Sequence, residues 1–150
     1  MSDGSLNQSS ADHLLKMEKH RIDEDENQFP DDTGGKLTLP LRSADQREDF
    51  HLDIRRGGID LKKGRYQNRV RSIFVLARID FGGAPHRNPD GEEIGCPHIH
   101  VYREGYGDKW AYPLLPENFP NSDDKWQLLQ DFLKFCNVVT PPKFKRGLFG

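Results

Sequence analysis

The stretch RVRSIFVLARIDF, residues 69–81, is the most hydrophobic part of the chain and decides the fold. Most of its apolar side chains come from Val70, Ile73, Val75, Ala77, Ile79 and Phe81. The regular spacing of two from Val75 onward is typical of a strand, where alternate side chains share one face. Phe74 and Leu76 place apolar groups on the other face as well, so the sequence predicts a central, buried strand over 69–81.

Shorter alternating patterns on both sides of this stretch predict the rest of a sheet. Residues 36–41, KLTLPL, are apolar at every second position, and Pro40 predicts an edge strand or an interruption there. Residues 50–55 and 97–102 alternate in the same way, and 109–115 is a partner strand for the latter. We therefore predict a mostly antiparallel sheet of four to five strands.

Two helices complete the predicted α+β fold. A weak pattern predicts an N-terminal helix that Ser10 caps and that runs to about Ile22. A strong amphipathic pattern over 124–136, capped by Ser122, predicts a C-terminal helix with Trp126, Leu129, Phe132 and Leu133 packed on Ile73, Val75 and Ile79. Residues 1–150 are expected to form one domain, with a flexible start over 1–9, an acidic connector over 23–35 and a basic tail over 138–150.

Composition excludes several classes of protein. The chain has 150 residues, of which 34% are hydrophobic and 31% charged. It has no apolar run of the roughly 18 residues that a membrane span needs, and no secretory signal, so we expect a cytoplasmic protein without membrane partners. Cys96 and Cys136 are expected to be reduced, with Cys96 a small buried residue. The motifs of P-loop ATPases, dinucleotide enzymes, common serine hydrolases and zincins are absent from the sequence.

Charge is distributed unevenly along the chain. Residues 1–33 hold nine acidic and three basic residues, whereas residues 55–78 hold eight basic residues and one acidic residue. Such a basic segment is suited to bind the phosphates of RNA or another nucleic acid. The candidate nucleic-acid-binding residues are Arg55, Arg56, Lys62, Lys63, Arg65, Arg69, Arg71 and Arg103.

Histidines and charged residues between 78 and 102 form the candidate catalytic site. His98 and His100 are two apart on a predicted strand, so both imidazoles point to one face, roughly 7 Å apart at Cβ. Tyr102 continues that face, and antiparallel pairing with the central strand would bring Arg78 and Asp80 beside it. One imidazole could then act as a base and the other as an acid.

A zinc site is the alternative for the same residues. His98, His100, His86 and Asp80 could supply four ligands, but their spacing matches no strong zinc motif. We therefore expect neither a metal nor a cofactor.

Three short motifs carry a family resemblance. Arg78-x-Asp80, Ala84-Pro85-His86 and Pro97-His98-x-His100 together resemble the signature of the TumE-like toxins of bacterial toxin–antitoxin systems, over residues 78–100. The whole chain also resembles an uncharacterised bacterial family of mobile elements, in residues 50–69 and 97–114. The loop between His86 and Pro97 is longer here than in the toxins, with NPDGEEIG added.

The resemblance implies a small α+β toxin that acts on RNA and is neutralised by an antitoxin. Arg78, Asp80, His86, His98 and His100 would be its functional residues. A metal-independent ribonuclease is therefore one expectation. The other is a non-enzymatic protein that binds and blocks a nucleic-acid-processing or defence complex, in which case the histidines are structural.

Overall fold

The computed structural model describes residues 5–31, 34–60 and 62–147. Its two helices are α1 (Gln8–Lys16) and α2 (Lys125–Phe135). Its strands are β1 (Lys19–Arg21), β2 (Glu26–Gln28), β3 (Gly35–Ser43), β4 (Asp49–Arg56), β5 (Gly64–Val70), β6 (Phe74–Phe81), β7 (His86–Arg87), β8 (Glu93–Ile94), β9 (His98–Val101), β10 (Ala111–Pro113), β11 (Val138–Thr140) and β12 (Lys143–Lys145). Within the described part of the chain, neither helix combines the length and apolarity that crossing a bilayer demands.

The main sheet is larger than the predicted one. Its eight strands follow the order β10-β9-β6-β5-β4-β3-β1-β11, and every pair is antiparallel except β1 with β11. The α+β class and the mostly antiparallel sheet are confirmed, but the number of four to five strands is wrong. The additional members are short strands such as β1 and β11, which are stabilised by pairing and carry no periodic pattern of their own.

The central stretch 69–81 is two strands joined by a turn. Arg71 and Ser72 take φ angles of 54° and 65° between β5 and β6. Ile73 therefore lies in the turn and is 71% exposed, so its predicted contact with the C-terminal helix is wrong. Positive φ angles in a hairpin turn are usually adopted by Gly or Asn. Because Arg and Ser adopt them here, the residue types in this stretch do not predict a turn.

Strand β3 differs from its predicted edge position. It pairs with β4 over residues 35–42 and with β1 over residues 41–43. Pro40 lies directly before Leu41, where the pairing with β1 ends. Because a proline donates no ladder hydrogen bond, the end of a pairing is a position that it tolerates.

The first helix is shorter than predicted. Asn7 caps it through a bond from Ser10 N to its side chain, and the helix ends at Lys16. Residues 19–21 form β1 instead of a helical continuation, and Ile22 is exposed. The predicted flexible start falls partly outside the described residues, namely 1–4, while Leu6 is buried in the core.

The acidic connector and the basic tail also contain strands. β2 lies within 23–35 and pairs in parallel with β12, which lies within 138–150. Asp31 joins the same two segments by a salt bridge to Arg146, at 2.9 Å. Residues 32, 33 and 148–150 of these two segments lie outside the described residues.

Helix α2 covers the apolar face of the sheet, as predicted. Leu129 and Phe132 are fully buried, and Tyr66 on β5 donates a hydrogen bond of 2.7 Å from its hydroxyl to Lys125 O. The cap is Asp124 and not Ser122, since the Asp124 carboxylate accepts from the N–H groups of the first turn. This packing leaves the opposite face of the sheet for polar residues.

A buried lysine joins the ends of both helices. Lys19 Nζ donates to three carbonyl oxygens, those of Leu15, Met17 and Cys136, at 2.8, 2.9 and 2.6 Å. Burial lowers the pKa of Lys19 to about 8, which leaves the ammonium protonated near neutral pH. The lysine therefore supplies donors to carbonyls at the C-terminal ends of α1 and α2 that lack partners in the helices.

Candidate functional site

The polar face of the sheet carries two rows of charged side chains. Strand pairing places Arg55 opposite Arg65, Arg65 opposite Asp80, and Asp80 opposite His98. We call Arg55, Arg65, Asp80 and His98 the first row. The second row runs two residues further along the same strands and consists of Asp53, Gln67, Arg78 and His100. The predicted neighbourhood of Arg78, Asp80 and the two histidines is thus confirmed.

The first row lines an open cavity of about 380 Å³. All four of its residues border this cavity, which we call the site cavity. Lys63, His86 and Cys96 complete its polar lining, whereas no residue of the second row borders it. The site cavity therefore brings two histidines and three cationic side chains together around the Asp80 carboxylate.

His98 and His100 share one face of β9, as predicted, and both side chains are buried. Their side chains are 2% and 0% exposed. The β7–β8 hairpin contributes His86, whose ring is tilted against His98 and meets His100 edge to face, with ring centroids 5.9 and 4.6 Å away. The burial of these histidines depends on tertiary contacts. The alternating pattern of residues 97–102 therefore does not predict it.

Asp80 is the centre of the charge network. Its Oδ1 accepts from Arg65 Nε at 2.8 Å, and its Oδ2 accepts from Arg78 Nη2 at 3.1 Å. Burial raises the pKa of Asp80, but the contact with His100 and the charges of Arg78 and Arg65 outweigh it and hold this pKa well below the usual range. Asp80 is therefore ionised at any pH at which the protein would work.

The partners of each imidazole define its tautomer. His98 Nδ1 is 3.1 Å from Gly95 O, and His100 Nδ1 is 2.8 Å from Asp108 O. A carbonyl oxygen only accepts, so both Nδ1 atoms carry protons and both Nε2 atoms are unprotonated in the neutral form. His98 Nε2 lies 3.5 Å from Asp80 Oδ2, and His100 Nε2 accepts from Arg78 Nη2 at 3.0 Å.

His98 is held in the neutral form required of a base. Burial lowers its pKa, and the nearby His100 and His86 act in the same direction, against the opposing effects of Gly95 O and Asp80. A proton taken up at Nε2 would lie next to the Asp80 carboxylate. His98 can therefore accept a proton and have the resulting charge stabilised.

The β7–β8 hairpin positions His86 over the site. Residues 88–91, NPDG, close this hairpin with a bond from Gly91 N to Asn88 O, as their turn residues predict. Asn88 is buried, and its amide bonds to both backbone groups of Ala111, on β10. His86 Nε2 donates to Lys109 O at 2.7 Å, which leaves Nδ1 as its second ring nitrogen. The residues added relative to the toxins are thus part of the element that carries His86.

Tyr102 does not join the histidines. Its hydroxyl accepts from Leu6 N and donates to Leu6 O, at 2.9 and 2.8 Å, and its ring is buried against Phe74. These contacts give Tyr102 the role of attaching the segment before α1 to the sheet. Cys96, predicted to be buried, is instead partly exposed at the border of the site cavity, with Sγ 3.6 Å from His98 Nδ1.

Several of the predicted nucleic-acid-binding residues are engaged elsewhere. Arg69 forms two bonds with Asp53, Arg71 pairs with Glu48, and the Arg103 guanidinium lies 4.2 Å from the centre of the Trp110 ring. Arg55, Lys63 and Arg65 line the site cavity, while Arg56 and Lys62 line a neighbouring cavity. Some side chains of the basic segment are thus held in ion pairs within the protein, and the others lie at or near the site cavity.

Three of the site residues also have the geometry of metal ligands. Side-chain atoms of Asp80, His98 and His100 lie within 4.8 Å of one another. However, Arg78 Nη2 stands 3.1 Å from Asp80 Oδ2 and 3.0 Å from His100 Nε2, so a guanidinium already occupies the space between two of the ligands. A divalent cation there would be repelled by the arginine, and the arrangement favours proton transfer over metal binding.

One comparison with known proteins found a match. The model of DUF6978, described as a family of unknown function, matches residues 6–138, which run from before α1 to the first residue of β11 and include every residue of both rows. No curated protein and no solved structure matches the chain.

Proposed function

Because the chain belongs to DUF6978, a family of unknown function, its activity has to be inferred from the site, and we propose that it cleaves RNA by metal-independent acid–base catalysis. The observation that carries this proposal is the site cavity, where His98 and His86 border the same space as Arg55, Lys63 and Arg65. Two imidazoles beside a cluster of cations are the groups that cleavage of a phosphodiester by its own 2′-hydroxyl requires.

His98 is the proposed base. It is neutral because burial lowers its pKa, and Asp80 Oδ2 lies 3.5 Å from the nitrogen that would accept the proton. Nε2 of His98 removes the proton of the RNA 2′-hydroxyl, and the 2′-oxygen then attacks the adjacent phosphorus. Asp80 stabilises the imidazolium that forms because its carboxylate lies beside the nitrogen that takes up the proton, while Gly95 O holds the other ring nitrogen.

His86 is the proposed acid. Its Nε2 is held by Lys109 O, so a proton on Nδ1 is the one it can donate. Transfer of that proton to the departing 5′-oxygen leaves a 2′,3′-cyclic phosphate and a free 5′-hydroxyl. This pairing differs from the one predicted from sequence, in which His100 is the second catalytic histidine.

The cations of the site cavity would hold the phosphate. Arg65 is anchored to Asp80 through Nε, and its side chain is 45% exposed at the cavity. Arg55 and Lys63 are exposed at the same cavity. Charge that develops on the phosphate oxygens during the reaction would be stabilised by these side chains.

The second row would act as a support. Arg78 bonds to Asp80, His100 and Asp108, and thereby fixes the carboxylate behind His98. Since His100 is fully buried and does not border the cavity, it is a positioning residue in this proposal. The toxin-like role that the sequence resemblance implies would follow from RNA cleavage in the cell, with a neutralising protein partner.

The test is cleavage of a labelled RNA oligonucleotide by the purified protein in the presence of EDTA. We expect a 2′,3′-cyclic phosphate product, and no cleavage at a position where the 2′-hydroxyl is replaced by hydrogen. His98→Gln and His86→Gln should each lower kcat about 100-fold or more. The matched control is His13→Gln, an exposed histidine on α1.

Two results would overturn this proposal. One is a folded wild-type protein that binds the RNA but leaves it intact, which would favour the non-enzymatic binding function. The other is cleavage that EDTA abolishes and a divalent cation restores. That result would mean that Asp80, His98 and His100 bind a metal ion.

A further inference from the structure

A second cavity of about 540 Å³ adjoins the site cavity. The two share Phe81, Gly83 and Cys96 in their linings. The second cavity reaches the start of α2, where Lys125 and Ser122 border it. The two cavities therefore meet at the end of the sheet, one bordered by polar-face residues and the other by the helix.

Cations are divided evenly between the two cavities. Arg55 and Arg56 are consecutive, and so are Lys62 and Lys63, yet the two members of each pair border different cavities. Alternation of side chains along the chain explains this division for the strand pair Arg55–Arg56. With Lys125, the second cavity has three cations, and Asp123 is the one acidic residue among the described residues that line it.

Two glycines lie where the two cavities meet, beside Phe81 and Cys96. Gly82 and Gly83 are both exposed, and Gly83 borders each cavity. At Gly82 the φ angle is +71°, and an added Cβ would stand 2.0 Å from Lys62 O. Glycine is therefore required at position 82. We call these two residues the Gly82–Gly83 ridge, and neither of them has a side chain that would obstruct a ligand lying across it.

We propose that the second cavity binds the phosphate of a nucleotide next to the cleaved bond, so that the substrate is an RNA strand lying across the Gly82–Gly83 ridge. This inference rests on the proposed function, because it names the class of substrate that the same site takes. A strand places one phosphate after another at short intervals, and adjoining cation clusters on either side of a narrow ridge are suited to two of them. A dinucleoside monophosphate has a single phosphate and would use the site cavity alone.

The test compares a hexanucleotide with a dinucleoside monophosphate, using the double variant Lys62→Gln, Lys125→Gln. For the hexanucleotide we expect KM to rise at least about 5-fold with kcat unchanged. We also expect the slope of log Kd against log salt to fall by about 0.7 for each phosphate that the variant no longer binds. Kinetics on the dinucleoside monophosphate should stay as in the wild type.

Two controls separate the second cavity from general effects of charge and folding. Lys134→Gln removes an exposed lysine from the far end of α2 and should leave both substrates unaffected. Lys62→Gln alone changes an exposed side chain and keeps the test decisive if the double variant does not fold.

The outcomes distinguish this inference from the proposed function. Equal salt slopes and equal KM values for wild type and variant would overturn the second binding position even if RNA is cleaved. If neither substrate is cleaved, the proposed function fails. The reduced salt slope for hexanucleotide binding would then still support two phosphate positions.

Discussion

The side chain of Asn88 exchanges two hydrogen bonds with the backbone of Ala111, at 3.0 Å from Nδ2 to the carbonyl and 2.8 Å from the amide to Oδ1. This exchange attaches the β7–β8 hairpin to the edge strand β10, and the hairpin in turn carries His86. The position of the proposed acid therefore depends on a residue that does not border the cavity.

Asn88→Ala should impair catalysis without removing a catalytic group. Loss of the amide leaves two buried backbone groups unpaired, at a cost of about 1–3 kcal/mol each in stability. We expect kcat of RNA cleavage to fall 10-fold or more with KM little changed, and the pH optimum to stay the same. Asn118→Ala, an exposed asparagine elsewhere, is the control. Wild-type kcat in a folded Asn88→Ala protein would contradict the anchoring role.

Asp80→Asn should shift the pH profile as well as the rate. The Asp80 charge raises the pKa of His98, so its removal lowers that pKa further. The acidic limb of the kcat profile should then move to lower pH, while the maximal rate falls because the imidazolium loses its stabilising partner. Rates measured between about pH 4 and pH 8 test this. An acidic limb that moves to higher pH would contradict the assignment of His98 as the base.

Stability should decrease in mild acid because of His98. Its folded pKa lies below the ordinary 6.5. Between these two values the unfolded chain binds a proton that the folded protein does not, so the free energy of unfolding falls as the pH drops below about 6.5. Urea denaturation at about pH 7.5 and about pH 5.5 measures this change. His98→Gln should show a smaller pH dependence than His13→Gln, and equal dependence in the two variants would exclude His98 as its source.

Leu129→Ala and Ile73→Ala together test which of these two apolar side chains contributes to the core. Leu129 is on α2 and is fully buried, so its truncation should lower the free energy of unfolding by about 2–5 kcal/mol. Ile73 is 71% exposed in the β5–β6 turn, so its truncation should change stability by less than about 0.5 kcal/mol. Chemical denaturation distinguishes these values. A large loss of stability in Ile73→Ala would contradict the β5–β6 turn and support the single central strand predicted from sequence.

Lys19→Met should destabilise the protein although it replaces a charge with an apolar side chain of comparable length. Three carbonyl oxygens around Nζ would lose their donor, and each buried unpaired group costs about 1–3 kcal/mol. We expect a clear drop in the melting temperature, against a small change for Lys16→Met on the exposed side of α1. A more stable Lys19→Met protein would mean that relief of the buried charge outweighs the three hydrogen bonds.

Local pattern is sufficient to predict the parts of the site that lie on regular strands. A spacing of two puts His98 and His100 on one face, and antiparallel pairing puts Asp80 opposite His98 and Arg78 opposite His100, as β6 and β9 show. The amphipathic helix is predicted over 124–136 and observed over 125–135, so each end is correct within one residue. The prediction succeeds because the apolar stripe and the acidic residues before it are both local features of the sequence.

The parts that escape prediction depend on distant contacts. His100 is covered by the His86 ring, which the β7–β8 hairpin carries, and its Nδ1 bonds to the carbonyl oxygen of Asp108. The engagement of Tyr102 with Leu6 joins residues 96 apart in sequence. Neither contact produces a periodic pattern in the sequence, so the spacing of two alone groups Tyr102 with the histidines and gives no sign that the histidines are buried.

The parallel pairings of β1 with β11 and of β2 with β12 have a consequence for the order in which the protein can fold. Asn27, in the middle of β2, bonds to Lys143 across a separation of 116 residues. A nascent chain must therefore make most of its length before β1 and β2 gain these partners, and until then the free edges of these two strands are open to pairing with other chains. Contacts of such long range slow folding. We therefore expect chaperones to matter most for this protein during the interval between synthesis of β2 and synthesis of β12.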